Sequence, residues 1–363
     1  MPMLLWFLGC QLVSAPPTES EVPEVDGPPV VALVTVDTWR ADFLTAEHAP
    51  NIWRLADRGE RYLNAISPMG LTTPAHATML TGLDPWTHGA QANNHHGYAL
   101  KPDVPVLPES FEGWAKGAFV SAYPAGPEGG MRRGWGVFDG PEAGERSGSV
   151  AVERALDWLP DDRPSLLWVH VYEPHGPYEG EGATERERYG EEVQRADAVL
   201  APLLERLVQR GARIVITSDH GEVLDEERCS YQHERSISDH VLHVPLIRWS
   251  PDIRPAAVDG LVGLVDVPAL LQGEAVSPRP YLLAQSGMCE ADCAAGCSPN
   301  GLSGRDAVVV TASGKWVRRP GRGELTVGKP AADHRAQLSA IPPLVPPTEA
   351  ANDAARSLGY MDP

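Results

Sequence analysis

The sequence predicts an α/β protein: a mixed, mostly parallel sheet flanked by helices, followed by a smaller C-terminal α+β subdomain. Three observations predict it. β-branched apolar runs alternate with segments of helical period through residues 30–250, the pattern of a sheet covered on both faces. Three of those runs end in polar residues, at Asp37, at Glu173 with His175, and at Asp219 with His220. Open α/β sheets build their sites at such carboxyl ends. Beyond Pro251 the pattern changes to short strands separated by turn residues, which divides the chain at 250/251.

Taken in order, "PPVVALVTVDTW" is a buried central strand ending at Asp37, and "APNIWRLADRG" is a helix stopped by Gly59. "RYLNAIS" reads as a strand. "GLTTPAHATMLTG" places Pro74 in the first turn of a helix, where its missing N–H is no loss. Thr72 therefore sits at a helix entry, where free N–H groups favour an anion, either as a cap or as an attacking group. "SFEGWAKGAFVSAY" gives a short helix and a strand, "SVAVERALDWL" a helix, and "SLLWVHVYEPHGPY" a buried strand. In "EEVQRADAVLAPLLERLVQRG" the residues Val193, Ala196, Leu200, Leu203, Leu204 and Leu207 share one helical face, with a kink expected at Pro202. "ARIVITSDHGE" and "VLHVPLIRW" are further strands. "PYLLAQS" and "DAVVVTASGKWVRR" form short antiparallel strands turning at Ser313-Gly314, and a helix over 348–358 closes the subdomain.

The bulk properties narrow the function classes. The 363 residues carry 30 basic and 49 acidic side chains, a net charge of −19, which argues against a nucleic-acid partner. Residues 1–29 hold an apolar stretch from Met3 to Ala15, too short to span a bilayer, then a Pro/Glu/Ser-rich tether. "FLGC" resembles a bacterial lipobox, with Phe7 a departure from it. The expectation is an exported protein, periplasmic or on the outer membrane, attached through lipidated Cys10. The other four cysteines, Cys229, Cys289, Cys293 and Cys297, suit two disulfides in an oxidising compartment. "CEADCAAGC" fits no zinc or iron–sulfur spacing.

Asp37, Asp219 and His220 are ligands of the kind divalent metals take, and a metal beside Thr72 would lower the pKa of its hydroxyl. The ordered set "VTVDTWRADFL", "APNIWRLADRGERYLNAISPMGLTTPAHATMLTGLDPWTHG", "VHVYEPHGPY", "TSDHGE" and "HVPLIRWSP" resembles the sulfatase family of the alkaline phosphatase superfamily. Fainter likeness continues through "LVDVPALLQG", "GKWVR" and "ARSLGY". The resemblance implies that family's mixed sheet with a small C-terminal sheet domain. It also implies a divalent metal (calcium, zinc or manganese) held by Asp37, Thr72, Asp219 and His220.

The departures from the family pattern matter as much. Sulfatases carry Cys or Ser, oxidised to formylglycine, where this chain has Thr72, and Arg where it has His76; a second Asp is replaced by Thr38. Threonine cannot become formylglycine, so no formylglycine is expected. Threonine at this place resembles the nucleotide pyrophosphatase/phosphodiesterases and the lipoteichoic-acid and phosphoethanolamine transferases. A threonyl sulfate lacks the spare hydroxyl through which hydrated formylglycine expels sulfate, whereas a threonyl phosphate is open to attack at phosphorus.

By resemblance His175 and His233 are candidate proton donors or substrate contacts, and Glu173, His175 and His233 a candidate second metal site; His76, a third candidate proton donor, either contacts the anion from the first turn of the Thr72 helix or faces out. Arg40 either orients Asp37 and meets substrate or forms an ion pair; Asn94, in "QANNHHG", lies where relatives place a substrate loop. The expected activity is metal-dependent hydrolysis of a sulfate or phosphate ester of a small molecule, glycan or lipid through Thr72. The alternatives are a phosphoryl transferase or phosphodiesterase, and an inactive relative that binds anions or glycans.

Overall fold

The computed structural model describes residues 29–93, 98–226, 233–287, 305–320, 323–330 and 333–342. Cys10, Cys229, Cys289, Cys293 and Cys297, Asn94 and the helix expected over 348–358 lie outside the described residues.

Alternation along the central strands decides the architecture. In β1 (Val30–Val36) the side chains of Val30, Ala32, Val34 and Val36 enter one apolar layer, and those of Val31 and Leu33 enter another. β5 (Ser165–Val171) and β6 (Arg213–Ser218) divide in the same way, so the sheet is buried on both faces. With β2 (Glu60–Ile66), β3 (Ala115–Phe119), β4 (Val137–Asp139), β7 (His243–Trp249) and β8 (Ala256–Gly263) they form eight strands in the order β4-β3-β5-β1-β6-β7-β2-β8. Every pairing is parallel except the two made by β7.

Helices α1 (Pro50–Arg58), α4 (Gly148–Trp158) and α5 (Glu185–Gln209) bury their apolar faces in the first layer. α2 (Thr72–Thr81) and α7 (Val267–Gln272) fill the second; α3 (Pro85–His88) and α6 (Asp239–Leu242) are single turns. The six apolar residues read on one face of α5 are all buried. Pro202 is exposed and the helix continues through it. The helix also begins earlier than its apolar period does, because Thr184 and Glu187 form a reciprocal capping box.

The second sheet is antiparallel, in the order β12-β11-β10-β9. Its strands are β9 (Leu282–Gln285), β10 (Ala307–Thr311), β11 (Gly314–Arg319) and β12 (Gly323–Gly328). Thr311 pairs with Gly314, so the hairpin turns at Ala312-Ser313, one residue before the expected place. The division at 250/251 also shifts, since β8 pairs with β2 in the large sheet and α7 packs on it. β8 is an edge strand with five of its eight residues at least partly exposed, so it has no apolar run to announce it.

Candidate active site

At the carboxyl ends of β1, β5 and β6 the chain turns sharply inward. Thr38 takes a left-handed conformation, φ 52°, and its N–H donates to Asp219 Oδ1 (3.2 Å). Its carbonyl accepts from the hydroxyl of Tyr189, which in turn accepts from Arg40 N–H. These bonds hold Asp37 and Asp219 at the floor of one buried cluster, where the ligand atoms of Asp37, Asp219 and His220 all lie within 4.8 Å of one another.

Both Asp37 carboxylate oxygens, Asp219 Oδ2 and His220 Nε2 are buried without a hydrogen-bond partner. His220 Nδ1 meets the Gly221 carbonyl at 3.0 Å and must carry the proton there. Its Nε2 points at Asp219 Oδ2 (3.4 Å) and Asp37 Oδ1 (3.9 Å), and on giving up its proton it would offer an incoming cation a lone pair. Three lone-pair donors converging in a dry site are what a divalent cation satisfies, and such orphaned atoms are costly otherwise. The electrostatics agree. Burial and the charge of Asp37 push the Asp219 carboxyl up. Burial opposes ionisation of Asp37, but His170, His175 and His220 outweigh it and hold that carboxyl below the ordinary range. For His220, burial disfavours the charge and the two carboxylates prevail, raising its pKa.

Thr72 is the first residue of α2, and Leu71, not Thr72, is the N-cap. Its carbonyl accepts from His76 Nδ1 (2.9 Å), whose ring lies 3.8 Å from Asp219 Oδ2. Asn93 Oδ1 accepts from Thr73 N–H, fixing the first turn of the helix.

Several candidates stand elsewhere than expected. His76 does not face out: its two ring nitrogens are taken by Thr72 O and Thr35 Oγ1, and burial, then His170, lower its pKa to about 3. The Arg40 guanidinium is fully buried among Asp42, Glu226, the Glu222 carbonyl and His240, which leaves it no face for a substrate and no bond to Asp37. Glu173 accepts from Gly148 N–H at the start of α4 through both carboxylate oxygens (3.1 and 3.2 Å).

The carboxylate beside His233 is instead Glu222, 3.2 Å from Nδ1, with its Oε2 buried and unpartnered. Burial raises Glu222 to about 7 against the pull of His175 and His220. The rings of His220 and His233 lie 4.4 Å apart, and those of His233 and His175 5.2 Å. His175 Nδ1 is taken by Tyr172 and the Gly176 carbonyl, so a proton exchanged with a ligand passes through Nε2.

His170 also belongs to the cluster, its Nε2 lying 3.3 Å from Asp37 Oδ2. Its Nδ1 meets Ser121 N–H at 3.4 Å, and its Nε2 is buried without a hydrogen-bond partner, so that His170, His76 and Asp219 form a second group with the spacing to hold a metal. Neither residue stands out in the sequence: His170 interrupts an apolar strand at a position that reads as core, and Glu222 follows "SDHG" as an ordinary loop acid.

A family model described as Sulfatase matches residues 29–272. Among curated proteins, the chain is 28% identical over 221 residues to an uncharacterized pyrophosphatase/phosphodiesterase of Schizosaccharomyces pombe. It is 28% identical over 237 residues to ectonucleotide pyrophosphatase/phosphodiesterase family member 3 of Mus musculus. These matches cover 53% and 57% of this chain but 44% and 26% of the relatives, so the chain spans less than half the length of either. A phosphonate monoester hydrolase from Silicibacter pomeroyi has the same fold, with TM-score 0.62 at 15% identity over 92% of this chain and 96% of that one. So does a 2-O GAG sulfatase, with TM-score 0.62 at 15% identity over 92% of each chain.

Proposed function

The chain belongs to the sulfatase family, within a superfamily of sulfate- and phosphate-ester hydrolases, and from that premise we propose that it cleaves phosphodiesters through a covalent ester on Thr72. The observation that carries this reading is the convergence of the unpartnered atoms of Asp37, Asp219 and His220 beside the helix that Thr72 opens. The choice of phosphorus over sulfur rests on threonine chemistry, and the relatives named as phosphodiesterases support it.

Asp37, Asp219, His220 and Thr72 would hold a divalent cation, which when bound supplies Lewis-acid stabilisation of charge on the transferring group and favours the ionised Thr72 hydroxyl. In the first step Thr72 Oγ bonds to phosphorus and gives its proton to water, while the bond from phosphorus to the leaving oxygen breaks. His175 protonates that oxygen from Nε2. In the second step water attacks phosphorus, His175 takes its proton, and the Thr72 Oγ–P bond breaks as Thr72 regains a proton. His170, with Nε2 3.3 Å from Asp37 Oδ2, helps to hold that carboxylate ionised.

The test is turnover of bis(p-nitrophenyl) phosphate, p-nitrophenyl phosphate and p-nitrophenyl sulfate by protein of measured metal content. The diester is expected to be the best substrate. Thr72→Ala is expected to stay folded and lose activity at least 1,000-fold, on the order of what loss of a nucleophile costs, while Thr72→Ser keeps part of it. Mass spectrometry of acid-quenched enzyme is expected to find phosphothreonine at 72. Preference for the sulfate ester, or a folded Thr72→Ala near wild-type rate, would overturn the reading. The N-terminal segment adds a proposal on location: export and acylation of Cys10, checked by a mature mass that lacks Met1–Gly9 and carries acyl chains.

A further inference from the structure

We propose that Arg305 is a substrate-recognition residue that takes a second anionic group, an oxyanion of the phosphoryl, sulfo or carboxyl kind, on the ester that Thr72 attacks. This rests on the reading of Thr72 as the nucleophile. The argument begins with a cation that has no structural reason to be where it is. Arg305 is 3% exposed, yet among the described residues its Nε and Nη2 have no hydrogen-bond partner, and its Nη1 donates to the Gln91 carbonyl alone, at 2.8 Å. Among the described residues no carboxylate makes an ion pair with it; Tyr98 and Glu234 are close enough to feel its charge. Burial lowers its pKa to about 10, which still leaves it charged. Buried guanidinium groups are ordinarily paired, because an uncompensated charge out of water is costly. Arg40 in this same molecule shows the ordinary case, with each of its three nitrogens bonded.

The fold carries this cation to the site. Ala307, the first residue of β10, pairs with Gln285, and Gln285 bridges Met69 in parallel just before α2. Ser286 N–H donates to the Asp306 carbonyl, so the antiparallel register continues outward and sets Arg305 across from Gly287. Gly287 in turn packs against Leu71, the N-cap before Thr72: a Cβ on it would meet Leu71 Cδ1 at 3.2 Å. Arg305 is thus two strand spacings, roughly 10 Å, from the backbone at Leu71 and Thr72.

The segment 91–93 bridges that gap from the other side. The Gln91 carbonyl holds the guanidinium, and Asn93 Oδ1 holds the N–H of Thr73. Guanidinium and helix entry are therefore tied to the two ends of one three-residue piece of chain. The two unpartnered nitrogens offer the forked donor geometry that a second oxyanion accepts.

The experiment uses three p-nitrophenyl phosphodiesters whose second ester arm ends in a phosphate, a carboxylate or a methyl group. For wild type, kcat/KM is expected to be higher for the two anionic arms, and the comparison between them says which oxyanion fits. In Arg305→Ala the ratio of anionic to methyl substrate is expected to fall about 10- to 100-fold, the usual worth of a charge-assisted pair. Arg305→Lys, which keeps the charge and loses the fork, is expected to fall between the two. An unchanged ratio in both variants overturns the proposal, and so does an equal loss on all three esters, which would mark Arg305 as structural. Should wild type cleave none of the three, the nucleophile reading fails, and thermal-shift titration with inorganic pyrophosphate still decides Arg305. A shift lost in Arg305→Ala and reduced in Arg305→Lys supports recognition, and a shift equal in wild type and Arg305→Ala, or absent in wild type, overturns it.

Discussion

His76 shows how one side chain's neighbours decide its part. Trp168 Nε1 can only donate, and it donates to Thr35 Oγ1 at 3.0 Å. The Thr72 carbonyl can only accept, and it accepts from His76 Nδ1. The direction of the remaining bond follows: the Thr35 hydroxyl donates to His76 Nε2 at 3.0 Å. The relay runs from Trp168 on β5 through Thr35 on β1 to the first residue of α2, and it locks His76 neutral in one tautomer. Its effect is to hold Thr72 in place. Thr35→Val keeps the shape and leaves Trp168 Nε1 and His76 Nε2 unpaired, so it should cost about 1–3 kcal/mol for each buried orphan. Chemical denaturation checks this. If the relay positions the nucleophile, kcat should also fall with KM nearly unchanged, and Thr35→Ser should restore it. The sequence shows the motif that contains His76 but not the relay, because Thr35 and Trp168 read simply as strand residues. Arg40 hides its role for the same reason, its partners Glu226 and His240 lying far along the chain.

Elements bring these residues together across long stretches of sequence, and α5 is the clearest instance. Its apolar face was legible at once; the polar hydroxyl of Tyr189 in its second turn was not. That hydroxyl donates to Thr38 O (2.7 Å) and accepts from Arg40 N–H (2.9 Å), bracing the left-handed turn behind Asp37. Tyr189→Phe leaves both backbone groups buried and unpaired, so a loss of about 1–3 kcal/mol is expected in equilibrium unfolding, with a weaker metal affinity because Asp37 is no longer braced. The turn joining α2 and α3 carries a second consequence. Asp84 is the N-cap of α3 but makes no capping bond, and burial, against the pull of Arg279, raises its carboxyl to about 6. The folded pKa lies above the unfolded value of 3.8, so the folded state binds more protons between the two. This contribution is therefore fully present below the unfolded pKa and lost as pH rises to about 6. Asp84→Asn should remove that slope, gaining about 1–3 kcal/mol at pH 7.5 and nothing at pH 3.5 in paired melts. At this scale the parallel strands were readable because both faces of each are apolar, and β8 was not because an edge strand needs only one buried end.

For the molecule as a whole, the fold concentrates acid where it is hardest to tolerate. Asp37 and Asp219 are 1% and 0% exposed, face one another's field, and come from strands that pair in register from Val31 to Val36. The rigid sheet therefore prevents them from moving apart. The sequence disclosed this meeting through the shared position of both residues at strand ends; it could not disclose the second sheet's bridge to Met69, which depends on two edges meeting in space. A divalent cation bound there would neutralise the pair, so its removal should destabilise the whole protein. Stripping with a chelator is expected to lower the melting temperature on the order of 5–10 °C, with recovery on adding metal. The gap should depend on pH. Asp219 is raised above its unfolded value, so its own contribution to the metal-free fold is fully present below the unfolded pKa and is lost as pH rises through the folded pKa. Protons also compete with metal for the same ligands. The difference between metal-loaded and stripped melting temperatures should accordingly widen from pH 5 to pH 8. Asp219→Asn separates stability from chemistry: it removes the repulsion and a charged ligand together. The stripped variant should melt above the stripped wild type at pH 8, respond little to metal, and be inactive. A stripped wild type that melts no lower than the loaded protein at pH 8 would show that these carboxylates are not held together by a cation.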